Sequence, residues 1–317
     1  ALPGLGAKSK NGYSVQIRLT PYMEQVHLFE KLDLKQDMFG GTTSSMAGMD
    51  WFLPHVVEAA EATLPVLHCP SDSGPKSRKT SYSREEGVTI SSGGQPLIAG
   101  TCNYMVCTGS DYARIQAPGS YPSMPPGGPP TIVTKSNGLF YHSSAHSFAA
   151  ITDGTSNTMA LSEACVGVEG TVGGTYDDAV VSGAYRILMY GEPPMGGTLF
   201  DFANGSTTGL ANDTLGGLDT HMSSNQTPSA GWQNNRGLSW VLIQPAYTTF
   251  GAFIPPNAKM PSYWNMNQGF FVANSYHTSV VITALADGSV RGVSNSVNLR
   301  QWRLAASISD GEVFSGF

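Results

Sequence analysis

Charged side chains are scarce in this 317-residue chain, at 13% of all residues, and the net charge is −6 with no long basic run. Soluble proteins carry roughly 25% charged residues on average. A protein that binds nucleic acid needs clustered Lys and Arg to neutralise phosphates. We therefore expect no nucleic-acid partner. Gly, Ser, Thr, Asn and Pro supply the polar surface instead, a composition that is common outside the cell.

Long hydrophobic runs are also absent. No stretch of about 18 apolar residues, the length that spans a bilayer, occurs in the chain. No signal peptide is visible, and the chain begins at Ala1-Leu2-Pro3-Gly4 without an initiator Met. We interpret it as a processed or truncated product whose targeting segment has been removed.

Close cysteine pairs of the Cys-x2-Cys type, which zinc sites commonly use, are missing too. The cysteines are Cys69, Cys102, Cys107 and Cys165. An even count favours disulfides, with three pairings open. In an extended strand Cys102 and Cys107 would lie about 16 Å apart, too far to bond each other. We predict disulfides of unknown pairing, with free buried thiols and metal ligation as the alternatives.

Start signals and apolar periodicity predict three helices. Thr20-Pro21 has the residue types of an N-cap and a first helical position, and an apolar face follows over about 13 residues. A second helix is predicted over 51–62 after Asp50, and a third over 297–307. A single α+β domain spanning residues 1–317 accommodates these elements.

Short apolar runs predict the strands. They lie at 101–107, 138–141, 159–168, 270–273, 280–285 and 290–293. Asp287-Gly288 is a hairpin turn signal between the last two. Residues 73–96 are polar and predict a loop or mobile hairpin. Residues 169–268 are rich in Gly, Asn and Thr, and we expect a variable, loop-rich β insertion that decorates the core.

Five motifs follow one another along the chain. They are Leu19-Thr20-Pro21-Tyr22-Met23-Glu24-Gln25, Cys69-Pro70-Ser71-Asp72, Ile151 to Thr158 with Glu163, Ala286-Asp287-Gly288-Ser289-Val290-Arg291, and Asp310-Gly311-Glu312-Val313. In this order they resemble the prepilin-type, general-secretion-pathway G-like (pseudopilin-like) bacterial proteins with the associated C-terminal domain of unknown function. One turn departs from that family. Where its members usually have a His-Pro-Gly-Gly-like turn before the last hairpin, this chain has Ser275-Tyr276-His277-Thr278-Ser279.

The resemblance implies an α+β, type IV pilin-like head with an antiparallel sheet and an N-terminal helical region. The hydrophobic spine helix of the family would lie upstream of Ala1. The implied function is that of a non-enzymatic subunit head for a cell-surface filament or a type II secretion-type assembly, with other pilin-like subunits as partners. The implied location is extracellular, at the cell surface or in the periplasm, from an inner-membrane-anchored precursor. The alternative is a secreted carbohydrate- or solute-binding module on the same head.

The polar turns offer oxygen ligands for a cation. Asp153, Thr155, Ser156, Asn157 and Asp287 form a candidate calcium site, since calcium takes six to eight oxygens from carboxylates and carbonyls. Calcium is accordingly the candidate cofactor. The alternative is that Asp153 bonds its own turn and that Asp287 belongs only to a hairpin.

Aromatic residues of the insertion are a second candidate site. Trp232, Trp240, Tyr263 and Trp264 would form a glycan-binding platform if their rings were exposed, with surface glycans as partners. Core packing is the alternative, because large aromatic side chains are more often buried.

Catalytic residues are not predicted. His277 and Asp287 would permit a Ser/His/Asp arrangement, but no Gly-x-Ser-x-Gly nucleophile elbow occurs. Glu163 ends an apolar strand and needs a partner if it is buried. Arg291 or Arg303 is the expected partner.

Overall fold

Most of the chain is described by the computed structural model. The described residues are 13–41, 50–110, 136–141, 144–169, 174–191, 222–228, 231–242, 245–265, 268–312, 314 and 316–317. Among them, no helix is both long enough and apolar enough to cross a bilayer. The architecture is mixed α+β, as the sequence predicted, with mainly antiparallel sheets and short helices.

The helices are short. They are α1 (Val15–Leu19), α2 (Val26–Lys31), α3 (Pro54–Glu61), α4 (Tyr176–Ser182), α5 (Pro245–Thr248) and α6 (Leu299–Leu304). Thr20 is not the N-cap that the sequence suggested. Ser14 caps α1 instead, and the Thr20 hydroxyl donates back to the carbonyl of Ile17. A 3-10 turn then ends at Glu24, whose φ of 59° reverses the chain before α2.

The two later helix predictions are right in place but too long. Pro54 occupies the first turn of α3, where its missing N–H costs nothing, and Trp51–Phe52 before it is a strand. Asn298 caps α6 by accepting bonds from the backbone N–H groups of Arg300 and Gln301.

The described strands form three sheets. The strands are β1 (Phe39–Gly40), β2 (Trp51–Phe52), β3 (Ser77–Ser83), β4 (Pro96–Gly100), β5 (Tyr104–Cys107), β6 (Met159–Glu163), β7 (Met189–Gly191), β8 (Trp232–Gln233), β9 (Thr249–Phe250), β10 (Ser262–Asn265), β11 (Gln268–Phe270), β12 (Val280–Leu285) and β13 (Val290–Ser294). The N-terminal sheet has the order β1-β2-β3-β4, the insertion sheet β11-β10-β7-β8, and the central sheet β13-β12-β6-β5-β9.

The central sheet carries the best-predicted elements. β12 and β13 pair antiparallel across a turn in which Gly288 adopts a φ of 85°, so the Asp-Gly hairpin signal is confirmed. β6 lies between β5 and β12, and it ends at Glu163 rather than continuing to residue 168. Residues 138–141 form no strand.

A strand lies where a loop or a mobile hairpin was predicted. β3 falls inside residues 73–96 and pairs antiparallel with β4. Its inward side chains include Arg78 and Thr80, which are buried although polar. The Arg78 guanidinium donates to the carbonyls of Asn234 and Val168. Because the strand is rich in polar residues, the sequence pattern did not predict that it is buried.

The described part of residues 169–268 is integral to the core. It supplies the insertion sheet and strand β9 of the central sheet. Trp240 is fully buried in the core beneath the N-terminal sheet, and its indole N–H donates to the carbonyl of Ala62 at 2.8 Å. This stretch therefore builds the fold and does more than decorate it.

The disulfide prediction is wrong in this structure. Cys69, Cys102, Cys107 and Cys165 are all buried free thiols. Cys102 belongs to the core under the N-terminal sheet, where its thiol contacts the carbonyl of Tyr104, while Cys107 belongs to the core under the central sheet. Cys102 and Cys107 face different cores and cannot meet, as the sequence predicted.

Candidate functional site

Three ionisable side chains from distant parts of the sequence meet beside the central sheet. They belong to Cys69, Glu163 and His277, and their ligand atoms all lie within 4.8 Å of one another. Among the described residues this is the one group of three His, Cys, Asp or Glu side chains close enough to hold a metal ion. We refer to it as the Cys-Glu-His cluster.

The Glu163 carboxylate and the Cys69 thiol lie beside the same nitrogen of the His277 imidazole. The Nε2 atom of His277 lies 3.1 Å from Oε1 of Glu163 and 3.4 Å from Sγ of Cys69. Its other nitrogen, Nδ1, lies 3.4 Å from the hydroxyl of Ser71. The thiol and the carboxylate thus converge on one point.

Glu163 is held at the end of β6 by main-chain contacts. Its Oε2 atom accepts the N–H of Ile282 on β12 at 2.8 Å, and its carbonyl accepts the N–H of Asn274 at 3.0 Å. The predicted arginine partner is wrong. Arg303 donates to the carbonyl of Phe253 and lies over that ring, and Arg291 is exposed on β13. His277, instead of an arginine, is the side-chain partner of Glu163.

Cys69 is fixed by the Cys-Pro-Ser-Asp motif. Its N–H donates to Oδ1 of Asn103 at 3.0 Å, and its carbonyl accepts the N–H of Asp72, which closes the turn. The Asp72 carboxylate is itself buried and accepts the N–H groups of Gly74 and Val166. The motif is therefore a structural unit that places one thiol.

His277 lies in the loop before β12, which serine side chains stabilise. The Ser275 hydroxyl accepts the N–H of His277 at 3.2 Å and donates to the carbonyl of Val280 at 2.6 Å. Ser279 has a φ of 61°, in the left-handed region that favours glycine. Ser279 therefore carries a conformational cost that glycine would not.

The cluster is not a nucleophilic triad. In a triad the nucleophile and the acid contact opposite nitrogens of the histidine, whereas Cys69 and Glu163 share Nε2. Burial, helped by the neighbouring Glu163 carboxylate, raises the pKa of the Cys69 thiol. Reactive cysteines show the opposite shift. The arrangement therefore does not fit nucleophilic attack by Cys69.

The candidate calcium residues are engaged with the protein itself. The Asp153 carboxylate accepts the N–H groups of Asp310 at 2.8 Å and Gly311 at 3.1 Å. The Asn157 side chain donates to the carbonyl of Asp153, and the Asp287 carboxylate accepts the N–H and hydroxyl of Ser289. The Asp287 bonds match the hairpin alternative. The Asp153 carboxylate instead binds the C-terminal segment and does not cap its own turn.

The remaining two candidate ligands have lesser roles. Thr155 contributes its carbonyl, which accepts the N–H of Asp287, and Ser156 is exposed. Calcium binding by this set stays a prediction.

The glycan platform does not form as predicted. Trp240 and Tyr263 are fully buried, so neither ring can stack on a sugar. Trp232 is half-buried, packs edge-on against Tyr190 and donates its indole N–H to the carbonyl of Gly174. The side chain of Trp264 lies outside the described residues.

Comparison with known protein families identifies the family of this chain. A family model described as a protein of unknown function, DUF1559, matches residues 3–300. The chain belongs to this family. No curated protein and no solved structure matches it significantly.

Sequence reasoning missed the Cys-Glu-His cluster although it had singled out all three residues. Cys69 begins one motif, Glu163 ends another, and His277 occupies the turn that departs from the family pattern. The signal that could have found the cluster was the presence of one metal-binding residue type in each of three separate motifs.

Proposed function

We propose that this chain is the head of a non-enzymatic, pilin-like subunit that assembles with other such subunits at the cell surface. Membership of the DUF1559 family supports the proposal, together with the ordered motifs that resemble prepilin-type proteins.

One structural observation carries the proposal. The chain enters the head through a segment that is tied directly to the core. The N–H of Ser14 donates to the carbonyl of Val241 at 2.9 Å, and Tyr13 forms a β-bridge with Leu242. Tyr13 and Ile17 are buried. Because these first described residues are bonded to the core, an anchor that preceded them would fix the position of the whole head.

Exposed apolar side chains follow this entry segment. Tyr22 is 86% exposed and Val26 is 49% exposed. A neighbouring subunit in an assembly would cover such side chains. Val181 on α4 is 88% exposed and lies in a different part of the chain, so it provides a matched control.

The experiment is a shearing assay with the full-length gene product in its own cells. We expect the protein in the sheared surface fraction, and antibody labelling of filaments or surface assemblies in the electron microscope. A variant with Tyr22→Ser and Val26→Ser should lower the sheared yield several-fold, while Val181→Ser should leave it unchanged. Melting temperatures of the purified heads would confirm that both variants fold.

Two outcomes would contradict the proposal. One is recovery of the protein only as a free monomer in the medium, and the other is an equal effect of the double substitution and of Val181→Ser on the sheared yield. Retention of that free monomer on a polysaccharide affinity gel would then support the secreted binding module in its place.

A further inference from the structure

We propose that the Cys-Glu-His cluster is a binding site for a divalent transition metal, zinc foremost, with a fourth coordination position open to solvent. The site lies on the head and is independent of whether the head assembles into filaments. It assigns a ligand to Cys69, Glu163 and His277 that neither the family nor the motifs assign.

The distances between the three donor atoms suit a single ion. Zinc bonds of about 2.0–2.3 Å in a tetrahedral site place neighbouring ligand atoms roughly 3.3–3.8 Å apart. The Nε2 atom of His277 lies 3.1 Å from Oε1 of Glu163 and 3.4 Å from Sγ of Cys69. These two separations are within a few tenths of an ångström of the zinc range, and the third pair, Cys69 and Glu163, has its ligand atoms within 4.8 Å.

Charge balance favours a cation in this place. Cys69 and Glu163 are both almost fully buried. A thiolate and a carboxylate together carry two negative charges, and a divalent ion would neutralise both of these buried groups. Binding would release the thiol proton, because thiolate sulfur is the ligand form of cysteine.

The surroundings hold each ligand in place. The N–H of Ile282 fixes the second oxygen of Glu163, the Asn103 amide fixes the backbone at Cys69, and Ser275 fixes the backbone at His277. Outer contacts of this kind orient the ligands of metal sites. The Ser71 hydroxyl, 3.4 Å from Nδ1 of His277, is the outer partner of the imidazole.

The cluster reaches the surface on the side of His277. The His277 side chain is 30% exposed, whereas that of Glu163 is 3% exposed. Zinc sites with three protein ligands keep the fourth position for water or an exchangeable ligand. One sulfur, one nitrogen and one oxygen suit a borderline-soft ion such as zinc better than calcium or magnesium, which prefer oxygen throughout.

The experiment measures metal binding by the purified, reduced and metal-stripped protein. After equilibrium dialysis against zinc chloride, we expect one zinc per chain. Cobalt(II) should give the near-ultraviolet charge-transfer band of a thiolate ligand and the intense visible bands of tetrahedral coordination. Cys69→Ser, Glu163→Gln and His277→Gln should each weaken zinc binding by about 100-fold or more, since loss of an outer-shell partner alone costs 10–100-fold.

The matched control is Cys107→Ala, which removes a buried thiol in the core under the central sheet. It should still bind one zinc, provided that circular dichroism shows it folded. If a variant of Cys69 or Glu163 does not fold, His277→Gln decides the test, because His277 is the most exposed ligand. Absence of zinc from the dialysed wild-type protein at tens of micromolar would overturn the proposal. So would a cobalt complex that lacks the thiolate band, or equal zinc binding by wild type and His277→Gln.

Discussion

The Asp72 carboxylate accepts a hydrogen bond from the side-chain amide of Asn103 at 2.6 Å, and both residues are buried. The same amide donates to the carbonyl of Ala164, while Oδ1 of Asn103 accepts the N–H of Cys69. Asp72 also accepts the N–H of Val166. This pair therefore joins the turn that bears Cys69 to the chain that leaves β6 after Glu163.

Asp72→Ala should lower the free energy of unfolding by about 3–5 kcal/mol, because it removes the acceptor of two buried N–H donors and one partly buried one, and each unsatisfied buried donor costs about 1–3 kcal/mol. Asp72→Asn should cost less, since one oxygen acceptor remains. Urea unfolding measures both. Glu86→Ala, at an exposed position, is the control and should stay within about 0.5 kcal/mol of wild type. A loss below 1 kcal/mol for Asp72→Ala would show that the pair does not stabilise the fold.

The free thiols predict a loss of stability at alkaline pH. Burial raises the pKa of Cys102 and of Cys107 from about 9 to about 12. Above pH 9 the unfolded chain releases these protons while the folded chain keeps them, so stability falls as pH rises. Each thiol contributes a slope of about 1.4 kcal/mol per pH unit. Cys107→Ala should reduce the slope between pH 9.5 and 11 by that amount in urea unfolding series.

Thiol counting checks the same assignment independently. Cys102 and Cys107 should resist alkylation in the native protein at pH 8, and four thiols should react after unfolding without reductant. A count of two or zero would contradict free thiols and restore the disulfide interpretation.

Ser279→Gly should stabilise the head by about 0.5–1 kcal/mol, since glycine adopts a positive φ without the steric cost that serine incurs. The φ of Ser279 is 61°, and its side chain is exposed. Thr278→Gly is the matched control, because its φ is not positive, and it should lower stability. If both substitutions lower stability equally, the left-handed conformation of Ser279 does not reduce the stability of this turn.

Features that depend on neighbouring residues were predicted correctly, whereas features that depend on residues far apart in the sequence were not. The Asp287-Gly288 hairpin was predicted because its turn and both strands lie within a few residues. β3 was missed because Arg78 and Thr80 are buried polar residues, and pattern reasoning counts polar residues as exposed. The fold class followed from the mixture of such signals.

The candidate site depended on contacts that no local pattern encodes. His277 lies 208 residues from Cys69 and 114 from Glu163 along the chain. The aromatic residues show the same limit. Trp240 and Tyr263 are residue types that a glycan platform uses, but the tertiary structure buries both side chains.

Gly100→Ala should destabilise the core under the N-terminal sheet by about 2 kcal/mol or more, in the range of an overpacked core. A Cβ at Gly100 would lie 2.0 Å from the carbonyl oxygen of Ala62, which also accepts the Trp240 indole N–H. Gly292→Ala is the matched control, since its nearest contact would be an ordinary 3.9 Å from Ile282. Thermal and urea unfolding should separate the two variants. Equal stabilities would mean that the backbone at Ala62 moves away at little cost.

Asp153→Ala should lower the free energy of unfolding by about 2 kcal/mol, because it removes the acceptor of two hydrogen bonds to a charged group at a partly exposed site. Those bonds hold the N–H groups of Asp310 and Gly311, so the loss should be the same with and without millimolar calcium. Asp287→Ala is the control. Its carboxylate bonds only Ser289 among the described contacts, and its loss should be below about 1 kcal/mol.

Melting curves with calcium and with chelator decide between the two interpretations of Asp153. A capping carboxylate gives wild-type curves that superimpose, because its oxygens are already occupied by main-chain donors. A calcium ligand gives a rise in melting temperature that grows with calcium concentration. If that rise occurs and Asp153→Ala abolishes it, the turn opens to bind the ion, and the bonds to Asp310 and Gly311 are those of the calcium-free state.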